Sequence, residues 1–447
     1  MTNKPWFTFP VALLLQALSG VLLALALPPR DLGALAWVAL LPLLIAARIE
    51  RPLIVFLGGL IAGLVCGWIC GGRWDEPFQY GNLVAAFGSL GIVLAFVSAL
   101  ASFASKRMSA NLWPIFVGCA AVTGELLGAQ LFPVSVAITQ YRNPAALHLA
   151  SITGIWGVGF MLWLVPAGIA VLYPKAKTAV AALAVVVLAM IGAWLMPLGG
   201  NGNRVSVAAI QAPDSMEAAD QTERIRGRAK FVVWPELLLI AVSRTPASSA
   251  RAANVYLAAS VSKPNGKGKP NNAARLFSPA GKLMGTFEKQ RLFGRERFSF
   301  ATGSPSNPVT ANGVSVAVPI CYDTVFTGVV RDYVRRGAVL ILVPNHDPDM
   351  PNSVFNYLHS AVIPFRAAEN GVPIVWAECQ SLSVIVDSDG RILARGPERT
   401  PAFIIAGVHL RSGLTFFTRA GDYFAYLCVT GCVLGSILST RSRSRKP

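Results

Sequence analysis

The chain has 447 residues, of which 54% are hydrophobic and only 14% charged, and its formal net charge is +17. That balance excludes an intrinsically disordered chain, which would be poor in apolar residues and rich in charge. The two classes are also segregated: residues 1–198 are almost continuous apolar stretches, whereas residues 199–415 have the composition of an ordinary globular domain.

A membrane-spanning helix needs roughly 20 mostly apolar residues. Spans are predicted at 10–27, 32–48, 53–71, 83–105, 112–132, 153–173 and 178–197, with an eighth at 421–440. The first is not read as a cleavable signal peptide, because no small-residue cleavage site follows it and further spans come at once. With the N-terminus inside, the inside segments carry Lys4, then Arg48 and Arg51, Lys106 and Arg107, and Lys175 and Lys177. The tail adds Arg441, Arg443, Arg445 and Lys446, while the opposite short loops carry only Arg30, Arg73 and Arg142. This alternation follows the positive-inside rule. It predicts cytoplasmic termini and residues 199–415 on the outer face. Much of the positive charge is then topological, which argues against nucleic acid as a partner.

Glu125 lies inside the fifth predicted span, where an ionisable group is costly. Three readings stay open for it: a functional role, a structural pair with Arg142, or a reach to the interface. Of the seven cysteines, Cys66, Cys70, Cys119, Cys428 and Cys432 fall in apolar spans and read as small buried residues. Cys321 and Cys379 lie in the globular segment, where a disulfide between them is conceivable in an oxidising compartment.

The globular segment alternates short β-branched runs with turn residues. Strands are predicted at 204–210, 230–234, 255–260, 274–278, 283–288, 314–320, 338–343, 373–377, 382–387, 391–394 and 402–408. Hairpin turns are expected at Ser278-Pro-Ala-Gly281 and Asp387-Ser-Asp-Gly390. Helices are expected at 324–336 and 356–369. Strands mixed with amphipathic helices over this length predict one α/β domain with helices covering sheets.

Three predicted strand ends carry complementary chemistry. Glu236 closes Phe231-Val-Val-Trp-Pro-Glu236, Lys289 follows Gly285-Thr-Phe-Glu, and Cys321 ends Val314-Ser-Val-Ala-Val-Pro-Ile. A thiol, a carboxylate and an ammonium suffice for acyl transfer through a thioester. Each also has a plainer reading: a buried thiol, a surface or capping carboxylate, a solvated lysine. No Gly-rich phosphate loop and no zinc signature occur, and His148 and His359 have no metal-like partner at helical spacing. No cofactor and no metal are therefore expected.

Together the three segments resemble the nitrilase superfamily, whose Glu-Lys-Cys triad they match in order and context. Eight predicted spans with the globular segment between the seventh and eighth resemble the bacterial apolipoprotein N-acyltransferases. Local matches include Leu32-Gly-Ala-Leu-Ala-Trp37, Ile152-Thr-Gly-Ile-Trp156-Gly-Val-Gly-Phe160, Ile210-Gln-Ala-Pro213, Trp234-Pro-Glu236, Arg366-Ala-Ala-Glu369 and Arg419-Ala-Gly-Asp422. There are departures as well. The segment before Trp234 is short, and the family's Pro-Phe-Gly-Glu element reads Leu292-Phe-Gly-Arg-Glu296, with Glu296 displaced by one residue. Pro348-Asp349 replaces an aromatic element, and Ala377-Glu-Cys-Gln-Ser381 replaces a Ser-Thr-Asn-Asn-Gly element.

The resemblance implies a polytopic α-helical membrane protein with an inserted α-β-β-α sandwich. It divides the chain into a seven-span domain at 1–198, a catalytic domain at 199–415, and a last span with a basic tail at 416–447. It implies a multi-pass monomer of the bacterial inner membrane that takes an acyl chain from phospholipid and passes it to a diacylated lipoprotein. Glu236, Lys289 and Cys321 would be catalytic, supported by Glu296, Tyr322, Asp323, Asn345 and Glu369. A membrane-anchored carbon–nitrogen hydrolase is the nearest alternative. A transporter or a catalytically silent accessory protein is a more distant one.

Overall fold

The computed structural model describes residues 5–71, 80–129, 135–172, 202–238, 244–264, 266, 268–347, 354–379, 381–411 and 413–441. Among these, five helical stretches are long and apolar enough to cross a membrane: Phe9–Ala26, Pro52–Cys70, Phe87–Ser105, Ile155–Leu172 and Tyr423–Thr440. They coincide with the first, third, fourth, sixth and eighth predicted spans. The seventh predicted span lies outside the described residues, as do Lys4, Arg73, Lys175, Lys177 and the basic residues after position 441.

The second predicted span is not one helix. It breaks into a 3-10 turn, Gly33–Leu35, and two helices, Ala36–Ala39 and Leu41–Ile49. Pro42 lacks an N–H and sits in the first turn of the last piece, and the Leu43 N–H is taken by Ser19 Oγ at 3.0 Å. The fifth forms Trp113–Gly128, whose 16 residues span roughly 24 Å, less than the hydrocarbon core. Close packing relies on small residues: a Cβ added at Gly63 would stand 2.3 Å from the Gly91 Cα on the neighbouring helix.

Twelve strands form two six-stranded sheets. The first runs β12–β1–β2–β3–β4–β5 and the second β11–β10–β9–β8–β7–β6. The ranges in the first sheet are β1 Arg204–Gln211, β2 Phe231–Val233, β3 Tyr256–Lys263, β4 Asn271–Phe277, β5 Leu283–Glu288 and β12 Ala402–His409. Those in the second are β6 Val309–Ala311, β7 Val314–Ala317, β8 Leu340–Pro344, β9 Ile374–Ala377, β10 Val384–Val386 and β11 Ile392–Arg395. Alternation along β1 divides the layers. Val207 and Ala209 face the core shared with the second sheet, and Ala208 and Ile210 face the cluster under the outer helices Ser215–Arg224 and Pro246–Ala253.

Sequence patterning missed those two helices and the edge strand β6. The helices are short and rich in alanine and polar residues, and start from the caps Asp214 and Thr245 rather than from a strong apolar stripe. The helix expected from 324 begins later, at Thr327, because residues Cys321–Val325 form a 3-10 turn. The expected 356–369 helix is two helices, Phe355–Ser360 and Val362–Asn370.

Strand direction places the chemistry. β1, β2 and β3 pair in parallel, and so do β7, β8 and β9. β5 follows two antiparallel steps and so runs in the direction of β3. Glu236, Lys289, Cys321 and Asn345 thus each follow the C-terminal end of a strand. The Glu236 N–H donates to the Asn345 carbonyl at 3.1 Å, which joins the ends of β2 and β8 across the two sheets.

Candidate active site

Glu236, Lys289 and Cys321 are all buried, at 2%, 1% and 5% exposure. Lys289 Nζ donates to Glu236 Oε1 and to Glu296 Oε1, each at 2.7 Å. A second donor, Asn272 Nδ2, holds the same Glu236 oxygen at 2.5 Å. Glu296 is fixed in turn, since its Oε2 accepts the Phe293 N–H at 2.7 Å. One ammonium therefore bridges two carboxylates, Glu236 after the end of β2 and Glu296 at the end of the Leu292–Glu296 segment.

Cys321 occupies a strained position. Its φ is +45°, a left-handed conformation unusual for a residue with a side chain, and Leu237 beside Glu236 has φ +49°. Asp323 holds the turn in that shape. Its Oδ2 accepts the Ile320 N–H at 3.0 Å, and its Oδ1 accepts the N–H groups of Gln290 and Arg291 at 3.0 and 2.7 Å. This one carboxylate ties the Cys321 turn to the segment after Lys289. Burial pushes Asp323 up to about 7, against the pull of those backbone donors. Tyr322 packs its ring against Phe293 at 5.0 Å and Phe326 at 5.1 Å.

The charges act on one another. Burial works against the Lys289 ammonium, but Cys321, Glu236 and Glu296 outweigh it and hold its pKa well above the ordinary lysine range. Burial, then the Glu236 charge, raise the Cys321 thiol well above its usual value despite Lys289. Burial and the same Glu236 charge also raise Glu296. A thiol held protonated in this way would need a base at the moment of any attack on a carbonyl. Because its pKa lies above the ordinary range, the thiolate fraction grows tenfold per pH unit throughout pH 7–9. Iodoacetamide alkylation of Cys321, followed by peptide mass spectrometry, is expected to rise about tenfold per unit there without a plateau. A plateau below pH 8 would contradict this electrostatic picture.

The other predicted residues are placed as follows. Asn345 donates its side-chain amide to Glu378, and its backbone N–H to the Ala377 carbonyl at 2.8 Å. Glu369 faces the membrane helices: its Oε1 accepts the Ile155 N–H at 2.8 Å and Arg366 Nη2 at 3.1 Å. Glu125 accepts Ser135 Oγ at 2.6 Å and the Val136 N–H at 3.2 Å, while Arg142 pairs with Asp31 at 3.0 Å. A Glu125–Arg142 pair is thereby excluded: the chain turns back on Glu125 itself, and Arg142 finds the nearer carboxylate. No disulfide joins Cys321 to Cys379, because Cys321 belongs to the inter-sheet core and Cys379 to the cluster under the outer helices.

Sequence spacing finds no partner for His359, but the fold supplies one. His359 Nδ1 lies 2.6 Å from Asp347 Oδ1, and ligand-type atoms of Cys321, Asp347 and His359 all fall within 4.8 Å of one another. No helical spacing could reveal a cluster drawn from three separate segments. Asn272 was equally hidden, since its role depends on β4 lying beside β3 and β5.

Residues 207–413 match the Carbon-nitrogen hydrolase family, and residues 19–168 match the Apolipoprotein N-acyltransferase N-terminal domain. A Geobacter metallireducens apolipoprotein N-acyltransferase is 26% identical over 514 aligned residues, covering 96% of each chain. The Chlorobaculum tepidum protein of the same name is 24% identical, covering 99% of this chain and 98% of its own. Among solved structures, an amidase from Nesterenkonia sp. superposes with a TM-score of 0.42 at 20% identity, covering 52% of this chain and 98% of the amidase. The two matched segments meet in one chain whose apolar helices carry an α/β sandwich, and these two relatives align with it over nearly their whole length. The chain belongs to the apolipoprotein N-acyltransferase family, within the nitrilase superfamily.

Proposed function

We propose that this protein moves a fatty acyl chain from a phospholipid, through a thioester on Cys321, to the N-terminal amine of diacylglyceryl-cysteine lipoproteins. The observation that carries this reading is the buried Lys289 ammonium, 2.7 Å from both Glu236 and Glu296, at the strand ends that also bear Cys321. In the first half-reaction Glu236 takes the thiol proton as sulfur attacks the ester carbonyl carbon. Lys289 and backbone N–H groups near Tyr322 hold the oxyanion. The S–C bond stays, the ester C–O bond breaks, and Glu236 returns the proton to the departing lysophospholipid oxygen. In the second, the lipoprotein amine forms an N–C bond with the thioester carbonyl, the C–S bond breaks, and the amine proton passes through Glu236 to sulfur.

A lipid donor suits the construction of the molecule. The helix starting at Ile155 is tied to Glu369 by a buried hydrogen bond, and Asp422, at the head of the last span, accepts Trp156 Nε1 and Thr327 Oγ1 at 2.6 and 3.1 Å, so the spans and the catalytic domain are joined by polar contacts. The proposed topology has both termini in the cytoplasm and the catalytic domain, as a monomer, on the outer face of the inner membrane. The deciding experiment is mass spectrometry of Cys321 after incubation in phospholipid vesicles, with and without a diacylated lipopeptide. A fatty-acyl adduct that disappears on adding the lipopeptide is expected. An adduct lost equally fast without it would make the protein a hydrolase, and no adduct would remove the thioester from the scheme.

A further inference from the structure

Cys321 stands between polar groups supplied by the two sheets. From the first come Glu236, after β2, and Lys289, after β5, bonded to each other. From the second come Asp347, just beyond the end of β8, and His359, on the helix Phe355–Ser360. An oxygen of Asp347 and a ring nitrogen of His359 both lie within 4.8 Å of the Cys321 sulfur. The mechanism above gives neither of them a task.

The neighbouring carboxylates are occupied. Glu296 gives one oxygen to Lys289 and the other to the Phe293 N–H. Asp323 holds three backbone N–H groups, and Glu378 holds Asn345 Nδ2 and the N–H groups of Asp347 and Cys379. Asp347 differs. Its Oδ1 accepts His359 Nδ1 at 2.6 Å, and no donor among the described residues reaches its Oδ2, although the residue is only 3% exposed. Nor is Oδ2 sealed off, as Asn345 Oδ1 and His359 Nε2 are. An oxygen of a buried carboxylate left open beside the nucleophile calls for a donor from outside the chain. Of the two proposed substrates, the ester carries no N–H or O–H at its reacting carbon, whereas the amine carries N–H on the reacting atom itself.

We infer that Asp347 Oδ2 accepts an N–H of the acceptor's primary amine in the second half-reaction, with His359 as the positioning residue that fixes the carboxylate through Oδ1. The inference rests on the thioester reading above. A hydrogen bond of about 2.9 Å and an attack distance of about 3 Å together span the gap between the Asp347 oxygen and the sulfur that bears the acyl group. As the N–C bond forms, the nitrogen turns positive, and a fixed carboxylate beside it stabilises that charge. The C–S bond then breaks, and the amine proton still passes through Glu236 to sulfur. In the first half-reaction no such charge develops, and the Asp347 carboxylate opposes the thiolate.

The test uses the full-length protein in detergent micelles and follows Cys321 by intact mass spectrometry. Phospholipid first acylates it, and a diacylated lipopeptide then discharges it. In Asp347→Asn the ratio of the discharge rate to the acylation rate is expected to fall at least about tenfold. Asp347→Glu, which keeps a carboxylate, should recover part of that loss. A ratio that stays put, whether both steps slow or neither does, would assign Asp347 to structure alone and overturn the inference. Should Asp347→Asn not fold, His359→Gln carries the test by loosening the same carboxylate: the ratio should fall several-fold, and an unchanged ratio refutes the inference. The readings beneath it fail separately. If no lipid acylates Cys321 but p-nitrophenyl butyrate does, the phospholipid reading fails by itself and the butyryl adduct takes its place. If the lipopeptide does not discharge the adduct, the lipoprotein reading fails, and glycine methyl ester serves as the amine. Slower discharge by that amine in Asp347→Asn supports the inference, and equal discharge, or none in the unaltered protein, refutes it. No adduct from any donor overturns the thioester and this inference together.

Discussion

With Cys321 replaced by alanine, acyl transfer is expected to fall at least about 10³-fold, because in the proposed scheme the step that forms the covalent intermediate has no other nucleophile. The protein should still fold and insert. The substitution removes one sulfur from a packed position, and the Asp323 contacts to Ile320, Gln290 and Arg291 all use backbone N–H groups that alanine leaves in place. The cost to stability should be about 1 kcal/mol, within the range for small core truncations. Alanine keeps the same left-handed φ requirement as cysteine, so strain at +45° is unchanged. The measurement is transfer of a labelled acyl chain to a diacylated lipopeptide, with detergent-solubilised yield and thermal unfolding as controls. Transfer retained above a tenth of the original rate, with normal yield, would remove Cys321 from the mechanism. Cys379 cannot stand in for it, since its sulfur lies in the other core, 3.8 Å from the Pro213 carbonyl.

The second large effect is at Lys289, where function and folding are joined. Lys289→Met leaves Glu236 and Glu296 buried or half-buried without the cation between them. Removing one partner of a buried pair costs about 3–5 kcal/mol, chiefly because the remaining charge is uncompensated. The unfolding temperature should therefore drop, and activity should fall by two or more orders of magnitude with loss of the proposed oxyanion donor. Adding Glu236→Gln and Glu296→Gln to Lys289→Met removes the stranded carboxylates, so stability should recover in part while activity stays lost. Such a split separates the lysine's two roles. If Lys289→Met left the unfolding temperature where it was, the buried network would not be contributing as its geometry implies; if the triple variant regained transfer, the catalytic assignment would be wrong.

Five of the eight predicted spans, with their approximate limits, and the α/β character of residues 199–415 were legible because they are local properties. A run of apolar residues has no other stable place than a bilayer or a core, and β-branched runs between turn residues pair as strands wherever they lie. Most predicted strands coincide with observed ones to within a few residues. Failures arose where local preference was weak or was overridden. Pro42 broke a hydrophobic run that composition alone treats as continuous. Ala-rich helices such as Pro246–Ala253 carry a faint apolar stripe and are stabilised by their caps and by packing on β3.

The site divides along the same line. Sequence by itself determined the residue types and their positions at strand ends: Glu236, Lys289 and Cys321 each stand at or just past the end of a predicted strand. Their convergence was a tertiary decision. Glu236 and Lys289 are 53 residues apart in the chain and 2.7 Å apart in space because β2 and β5 run the same way in one sheet. Glu296 joined them because a turn folded back on Lys289, and Asp347 and His359 met beside Cys321 across three segments. The physical reason is range. Hydropathy and turn chemistry act over a few residues, whereas buried charge, desolvation and hydrogen-bond satisfaction depend on what the whole fold brings into contact.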